Sequence, residues 1–171
     1  SGQGFYKKIR NEDGSSEIQS LDLKTLEYRS SKKANFATLE QTKSIDNVVD
    51  RFKVLVKGKD KAGEFYRKNL SALFAYVSNR IPEITDELYK IDDAMKAGFG
   101  WQHGPFQIWD AVGVEKGIEM MKAEGEEPAA WVTEMLASGS KSFYNVKGGN
   151  TYYYDIPKKE QVKVPGQDAF I

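Results

Sequence analysis

His103 is the chain's single histidine, and it lies in a stretch, MKAGFGWQHGPFQIWDAVGV from Met95 to Val114, that also holds two of three tryptophans and four of fifteen glycines. Imidazole titrates near neutral pH, so His103 is a candidate general acid or base. The other reading is a loop histidine that caps a backbone group or faces water. In the same stretch Phe99, Trp101, Phe106, Ile108 and Trp109 could wall an apolar ligand pocket, because aromatic rings supply large rigid contact areas. They could equally fill a core. Asp86, Glu87, Asp92 and Asp93 form an acidic run that could be a site, but carboxylates at a helix start more often serve the helix dipole and the solvent.

Other chemistries lack their parts. No GxGxxG follows a strand and no GxxxxGK[ST] occurs, so neither a dinucleotide nor a nucleoside triphosphate has its usual phosphate cradle. Lys147-Gly148-Gly149-Asn150 reads as a turn. One histidine and no cysteine cannot supply the ligands of an imidazole or thiolate metal site, and a carboxylate-only site has no signal. No serine sits in a GxSxG context. Lys+Arg and Asp+Glu both total 25, which leaves no net field to gather nucleic acid or an anionic membrane. Without cysteine there is no disulfide framework, which fits a reducing compartment, and the cytoplasm is the expected location. No apolar run reaches the ~18 residues of a membrane span.

The elements that must position these residues follow from hydrophobic period and breakers. FYKKIR, NEDGSS and EIQSLDLKTLEYR read as short extended segments around a polar turn, an arm too small to hold a core. Ser44-Ile45-Asp46 offers an N-cap to a helix with Ile45, Val48, Val49, Phe52 and Val56 on one face, stopped by Gly58. From Lys61 to Arg80, Phe65, Leu70, Leu73, Phe74, Tyr76 and Val77 predict a central buried helix ending before Pro82. Ile84 to Lys96 predicts a further helix broken by Gly98. Val114 to Glu124, with Ile118 and Met121 inward, and Glu127 to Ser138, with Trp131, Val132 and Leu136, predict two short ones. SFYNV, KGGN and TYYYDI alternate about a Gly-Gly turn and predict a β-hairpin; PKKEQVKVPGQDAFI reads as an extended exit. The expectation is a mainly α helical bundle with a short N-terminal extended arm and a C-terminal β-hairpin. Its divisions are an arm at 1–30, a helical domain at 31–140, and a hairpin with exit linker at 141–171.

The run Ile91-Asp92-Asp93-Ala94-Met95, Gly98, Gly100, Gly104-Pro105-Phe106, Trp109-Asp110 and Val112-Gly113 resembles the helix-turn-helix signature of the C-terminal helical domain of 3-hydroxyacyl-CoA dehydrogenases. The resemblance implies a helical bundle of the 6-phosphogluconate dehydrogenase C-terminal-like type. His103 falls at a free position of that signature, and Phe99, Trp101, Phe106 and Trp109 become candidates for a substrate-side or interface surface. Ser1-Gly2-Gln3-Gly4-Phe5-Tyr6-Lys7 is similar to the segment with which a preceding helical domain of this family ends, and Phe143-Tyr144 echoes Phe5-Tyr6. This implies a chain that starts at the tail of one copy and runs through a second, as in multifunctional β-oxidation proteins where an enoyl-CoA hydratase region would follow.

The family oxidises (S)-3-hydroxyacyl-CoA to 3-ketoacyl-CoA with NAD. Its NAD site and catalytic His-Glu pair belong to a Rossmann domain outside these residues. The resemblance therefore implies no catalytic residue, no cofactor and no metal within this stretch, and an isolated chain that is inactive. An active-site Asn of the family falls near Arg67-Lys68-Asn69-Leu70, where no role is carried over. The implied partners are the Rossmann domain and first helical copy of a longer chain, the acyl-CoA substrate, and a second copy in a homo-oligomer. An independent helical module that binds an apolar ligand or a protein partner is the alternative.

Overall fold

Two short polar side chains decide where the first long helices begin. Asn47 Oδ1 accepts the Val49 and Asp50 amides at 2.8 and 3.3 Å and opens α2, Val48–Leu55. Asn47, rather than Ser44, is therefore the cap, because its carboxamide reaches the second and third amides of the helix. Asp60 Oδ1 accepts Gly63 N at 3.0 Å and opens α3, Lys61–Asn79, while its Oδ2 accepts Thr38 N at 2.9 Å. That second bond fastens a helix absent from the sequence expectation, α1, Ala37–Thr42, which has only six residues and no cap of its own.

The computed structural model describes residues 4–31 and 34–167, and falls into two units, the first ending at Asn35 and the second beginning at Phe36. The first holds β1, Tyr6–Arg10, β2, Ser16–Leu21, and β3, Tyr28–Ser30, in one antiparallel sheet of that order. NEDGSS makes the first reversal, with Gly14 N bonded to Asn11 O and Ser15 N to Asp13 Oδ1. None of its described residues is buried, as its size requires.

In the second unit α3 packs on α5, Pro105–Val112, and α6, Val114–Ala123. Its inner face is Leu70, Phe74 and Val77, spaced by one and two turns. Phe65 and Tyr76, expected inward, are exposed instead. Tyr76 follows Phe74 by two residues, about 200° around the helix, and Phe65 precedes Leu70 by five, so neither shares that stripe. The C-terminal end of α3 anchors α7, Ala130–Ala137: Ser78 Oγ accepts Ala129 N at 3.1 Å and Ser78 O accepts Trp131 Nε1 at 3.0 Å.

Between α3 and α5 lies α4, Leu88–Phe99. It starts four residues after Ile84, because Ile84 N still bonds Arg80 O and Thr85 Oγ1 takes the Glu87 amide. It also runs through Gly98. The break comes at Gly100, which adopts the left-handed conformation (φ 66°) and bonds Lys96 O.

The predicted hairpin is present as β4, Tyr144–Lys147, and β5, Asn150–Asp155, antiparallel across the Gly148-Gly149 turn. The expected exit segment is not free. Glu160–Lys163 forms β6 on the outer side of β5, and the Gln167 carboxamide bonds both Thr151 N and Thr151 O. Among the described residues no helix is long and apolar enough to cross a membrane.

Candidate functional site

Pro105 is the first residue of α5, where its missing N–H costs nothing. The next two amides need acceptors, and the preceding residue, Gly104, has no side chain to offer one. Asp92, from the middle of α4, takes that place. Its Oδ1 accepts Phe106 N at 2.9 Å and its Oδ2 accepts Gln107 N at 3.0 Å. Gln107 Oε1 in turn accepts Gly104 N at 3.0 Å. A Cβ at residue 104 would lie 2.3 Å from Asp92 Cα, Cβ and Cγ, so the close approach of α4 requires glycine.

Asp92 is thus wholly buried, and the expectation that it serves solvent and its own helix dipole is overturned. It caps a different helix. Tyr144 completes the arrangement by donating its hydroxyl to Asp92 Oδ2 at 3.0 Å. Asp110, near the end of α5, clamps the same segment: its two oxygens accept Phe143 N and Tyr144 N, each at 2.8 Å. Two carboxylates therefore tie α4, α5 and β4 into one corner.

Aromatic rings fill that corner. Phe106, Trp109 and Phe143 are fully buried; Phe143 lies 5.0 Å from Phe106 and 4.9 Å from Trp109, ring centre to ring centre. Trp109 stacks on Phe74 at 4.8 Å with the planes 6° apart, and its Nε1 donates to Val114 O at 3.1 Å. A Cβ at Gly117 would meet that nitrogen at 2.2 Å, so α6 makes room for the indole.

Burial sets the electrostatics. Desolvation is the largest influence on both carboxyls, raising Asp92 from 3.8 to about 6 and Asp110 from 3.8 to about 7; the amide bonds, and at Asp92 the Tyr144 hydroxyl, oppose the rise. Burial first, and then the Asp92 charge, push Tyr144 well above its ordinary value. It stays a neutral donor.

A separate apolar cleft of about 500 Å³ opens between α2, α3 and the segment before α5. Phe52, Phe65, Leu73, Trp101 and Ile108 give it apolar walls, and Asn69, Gln102 and His103 its polar edge. Asn69 Nδ2 donates to Phe65 O, and neighbouring Arg67 spends its guanidinium on the Val56 and Gly58 carbonyls. The four sequence-predicted surface residues separate accordingly: Trp101 is on the cleft wall and 36% exposed, Phe99 is 74% exposed outside it, and Phe106 and Trp109 are in the core. Asp92 and Asp110 lie in signature positions and Tyr144 in the segment that echoes Phe5-Tyr6, but the partners of these residues are 14 to 52 residues away.

Among the described residues no hydrogen bond joins His103 to a carboxylate, and no three His, Cys, Asp or Glu side chains converge as a metal site. The nicotinamide cofactor implied by the family resemblance does not fit these residues. Among the described residues both sheets are antiparallel meanders, and no glycine-rich turn leads from a parallel strand into a helix to hold a pyrophosphate.

Residues 70–152 match the family described as 3-hydroxyacyl-CoA dehydrogenase, C-terminal domain. A protein of Bacillus subtilis named a probable 3-hydroxyacyl-CoA dehydrogenase is 36% identical over 162 residues, 95% of this chain and 20% of the relative. A protein of Rickettsia felis named as a fatty acid oxidation complex trifunctional enzyme is 25% identical over 109 residues, 63% of this chain and 13% of the relative. One of the same name from Rickettsia prowazekii is 22% identical over 107 residues, 63% of this chain and 13% of the relative. The chain thus spans a fifth or less of these relatives. No solved structure matches it significantly. The capping and aromatic residues of the corner, from Phe74 to Tyr144, all fall within the matched residues, and residues 70–152 belong to the 3-hydroxyacyl-CoA dehydrogenase C-terminal domain family.

Proposed function

We propose that the chain is a non-catalytic helical domain, the second of two tandem copies, in a longer NAD-dependent 3-hydroxyacyl-CoA dehydrogenase. The parent enzyme converts (S)-3-hydroxyacyl-CoA to 3-ketoacyl-CoA in fatty-acid β-oxidation, in the cytoplasm. The observation that carries this reading is the use of the signature residues: Asp92, Gly104, Phe106, Trp109 and Asp110 are all consumed in building the corner. None is left to do chemistry, and the oxidation belongs to a Rossmann domain elsewhere in the parent. The bundle is of the 6-phosphogluconate dehydrogenase C-terminal-like type.

The exposed rings of Phe65, Phe99 and Trp101 form the substrate-side or subunit surface and favour self-association of the isolated chain. Light scattering at high concentration should show a dimer or weak oligomer; a strict monomer counts against that role. The main test is NADH formation from (S)-3-hydroxybutyryl-CoA. The longer protein should turn over and residues 1–171 should not. NADH from the isolated chain, or none from the longer protein, would overturn the reading.

The cleft of about 500 Å³ favours a second reading, an interaction module for an apolar ligand. Calorimetric titration with acetoacetyl-CoA, a longer 3-ketoacyl-CoA and the free fatty acid of the same chain length, with CoA and NAD as controls, separates the two. Saturable heat for the acyl-CoAs alone makes the cleft a substrate surface, heat for the free acyl chain as well favours the general apolar module, and no heat leaves a scaffold.

A further inference from the structure

Outside their first reversals, the two sheets of this chain repeat one another in register. Phe5 O accepts Leu21 N at 2.8 Å, and Phe143 O accepts Tyr154 N at 2.8 Å. Tyr6 is then opposite Ser20 as Tyr144 is opposite Tyr153, and Leu21 is opposite Tyr28 as Tyr154 is opposite Gln161. The turns after β2 and β5 agree as well. Asp22 Oδ1 accepts Thr25 N and Asp155 Oδ1 accepts Lys158 N; Asp22 O accepts Leu26 N and Asp155 O accepts Lys159 N, both at 2.8 Å. Leu26 (φ 59°) and Lys159 (φ 56°) are the two non-glycine residues in the left-handed region among the described residues. Even the first side chain of each third strand does the same work, Tyr28 Oη donating to Gly4 O and Gln161 Nε2 to Ser142 O.

One thing differs. In the second meander Phe143 fills the aromatic corner and Tyr144 reaches Asp92, whereas Phe5 and Tyr6 are 67% and 72% exposed. An apolar ring and a phenol presented together on an edge strand, in a framework whose twin is docked, form an interaction surface with its complement already on view.

We propose that Phe5 and Tyr6 dock on a second helical corner of the same build, belonging to a domain that precedes Ser1 in the longer protein. Phe5 enters an aromatic pocket like that of Phe143, a carboxylate placed like Asp110 accepts the Phe5 and Tyr6 amides, and one placed like Asp92 accepts the Tyr6 hydroxyl. The partner is thus a helix pair carrying two buried aspartates; the proposal rests on the tandem-copy reading and specifies its contact.

The test is amide hydrogen exchange at Phe5 and Tyr6 in residues 1–171 and in the longer protein. Both amides should exchange fast in the shorter chain and about 100-fold or more slower in the longer one, approaching Phe143 and Tyr144. Phe5→Ala should release the Tyr6 amide in the longer protein and leave the melting of residues 1–171 unchanged. Equal, fast exchange in both chains overturns the docking. If the longer protein still oxidises (S)-3-hydroxybutyryl-CoA in that case, the dehydrogenase reading stands and only the docking falls; if it does not, the reading falls too.

Discussion

Two halves of one aromatic stretch meet opposite fates. Phe106 and Trp109, on α5, are sealed in the core behind the Asp92 and Asp110 carboxylates, whereas Phe99 and Trp101, only a few residues earlier, stay at the surface. Gly100 and Gly104 make the difference. The first lets the chain leave α4 in a left-handed conformation, and the second lets α5 start against Asp92, so the rings before the reversal point outward and those after it point inward. Composition concentrated five aromatic and histidine side chains here; backbone geometry decided which of them stabilise and which are available to a partner.

The largest effect that sharpens this contrast is expected at Trp109. Trp109→Ala empties the stack between Phe74 and Phe143 and leaves Val114 O without its donor, at a cost of about 3–5 kcal/mol in urea unfolding. A loss below about 1 kcal/mol would mean the ring is not core. Gly104→Ala comes next. Its methyl group collides with Asp92, backbone included, so about 1–3 kcal/mol should be lost without removing a single existing contact.

The clamps also respond to pH. Asp92 and Asp110 titrate at about 6 and about 7 in the folded chain, above the ordinary 3.8, so the native state holds more protons than the unfolded one between these values. Their contribution to stability is full below about pH 4 and is lost as pH rises through 6 and 7. Denaturation from pH 4.5 to 7.5 should show stability falling as pH rises, with a shallower slope in Asp110→Asn. Parallel slopes in the two proteins would remove Asp110 as a titrating clamp. Least is expected at the open half: Phe99→Ser and Trp101→Ala should stay within about 0.5–1 kcal/mol of the parent in melting, while Trp101→Ala weakens any acyl-CoA binding.

Legibility in the sequence followed the range of the interactions. The period of α3 and the Gly-Gly hairpin are local and were readable. Gly98 reads as the break after α4, whereas the left-handed backbone angle belongs to Gly100, two residues later. Asp92 was misread because a carboxylate early in a helix has a local explanation, whereas its actual partners are on α5 and β4. β6 was missed because prolines and lysines disguise an edge strand, and its turn depends on Lys159 in a conformation that lysine seldom adopts. The cleft combines α2, α3 and the segment before α5, a conjunction no spacing reports.

The most direct test of the corner as a built structure is a double-mutant cycle of Asp92→Ala and Tyr144→Phe, read by urea unfolding of residues 1–171. A hydroxyl donating to a buried carboxylate should give a coupling of about 1–2 kcal/mol in the direction of a lost mutual contact. Additive single effects, within about 0.3 kcal/mol, would show that Tyr144 does not hold Asp92 and would contradict the corner described here.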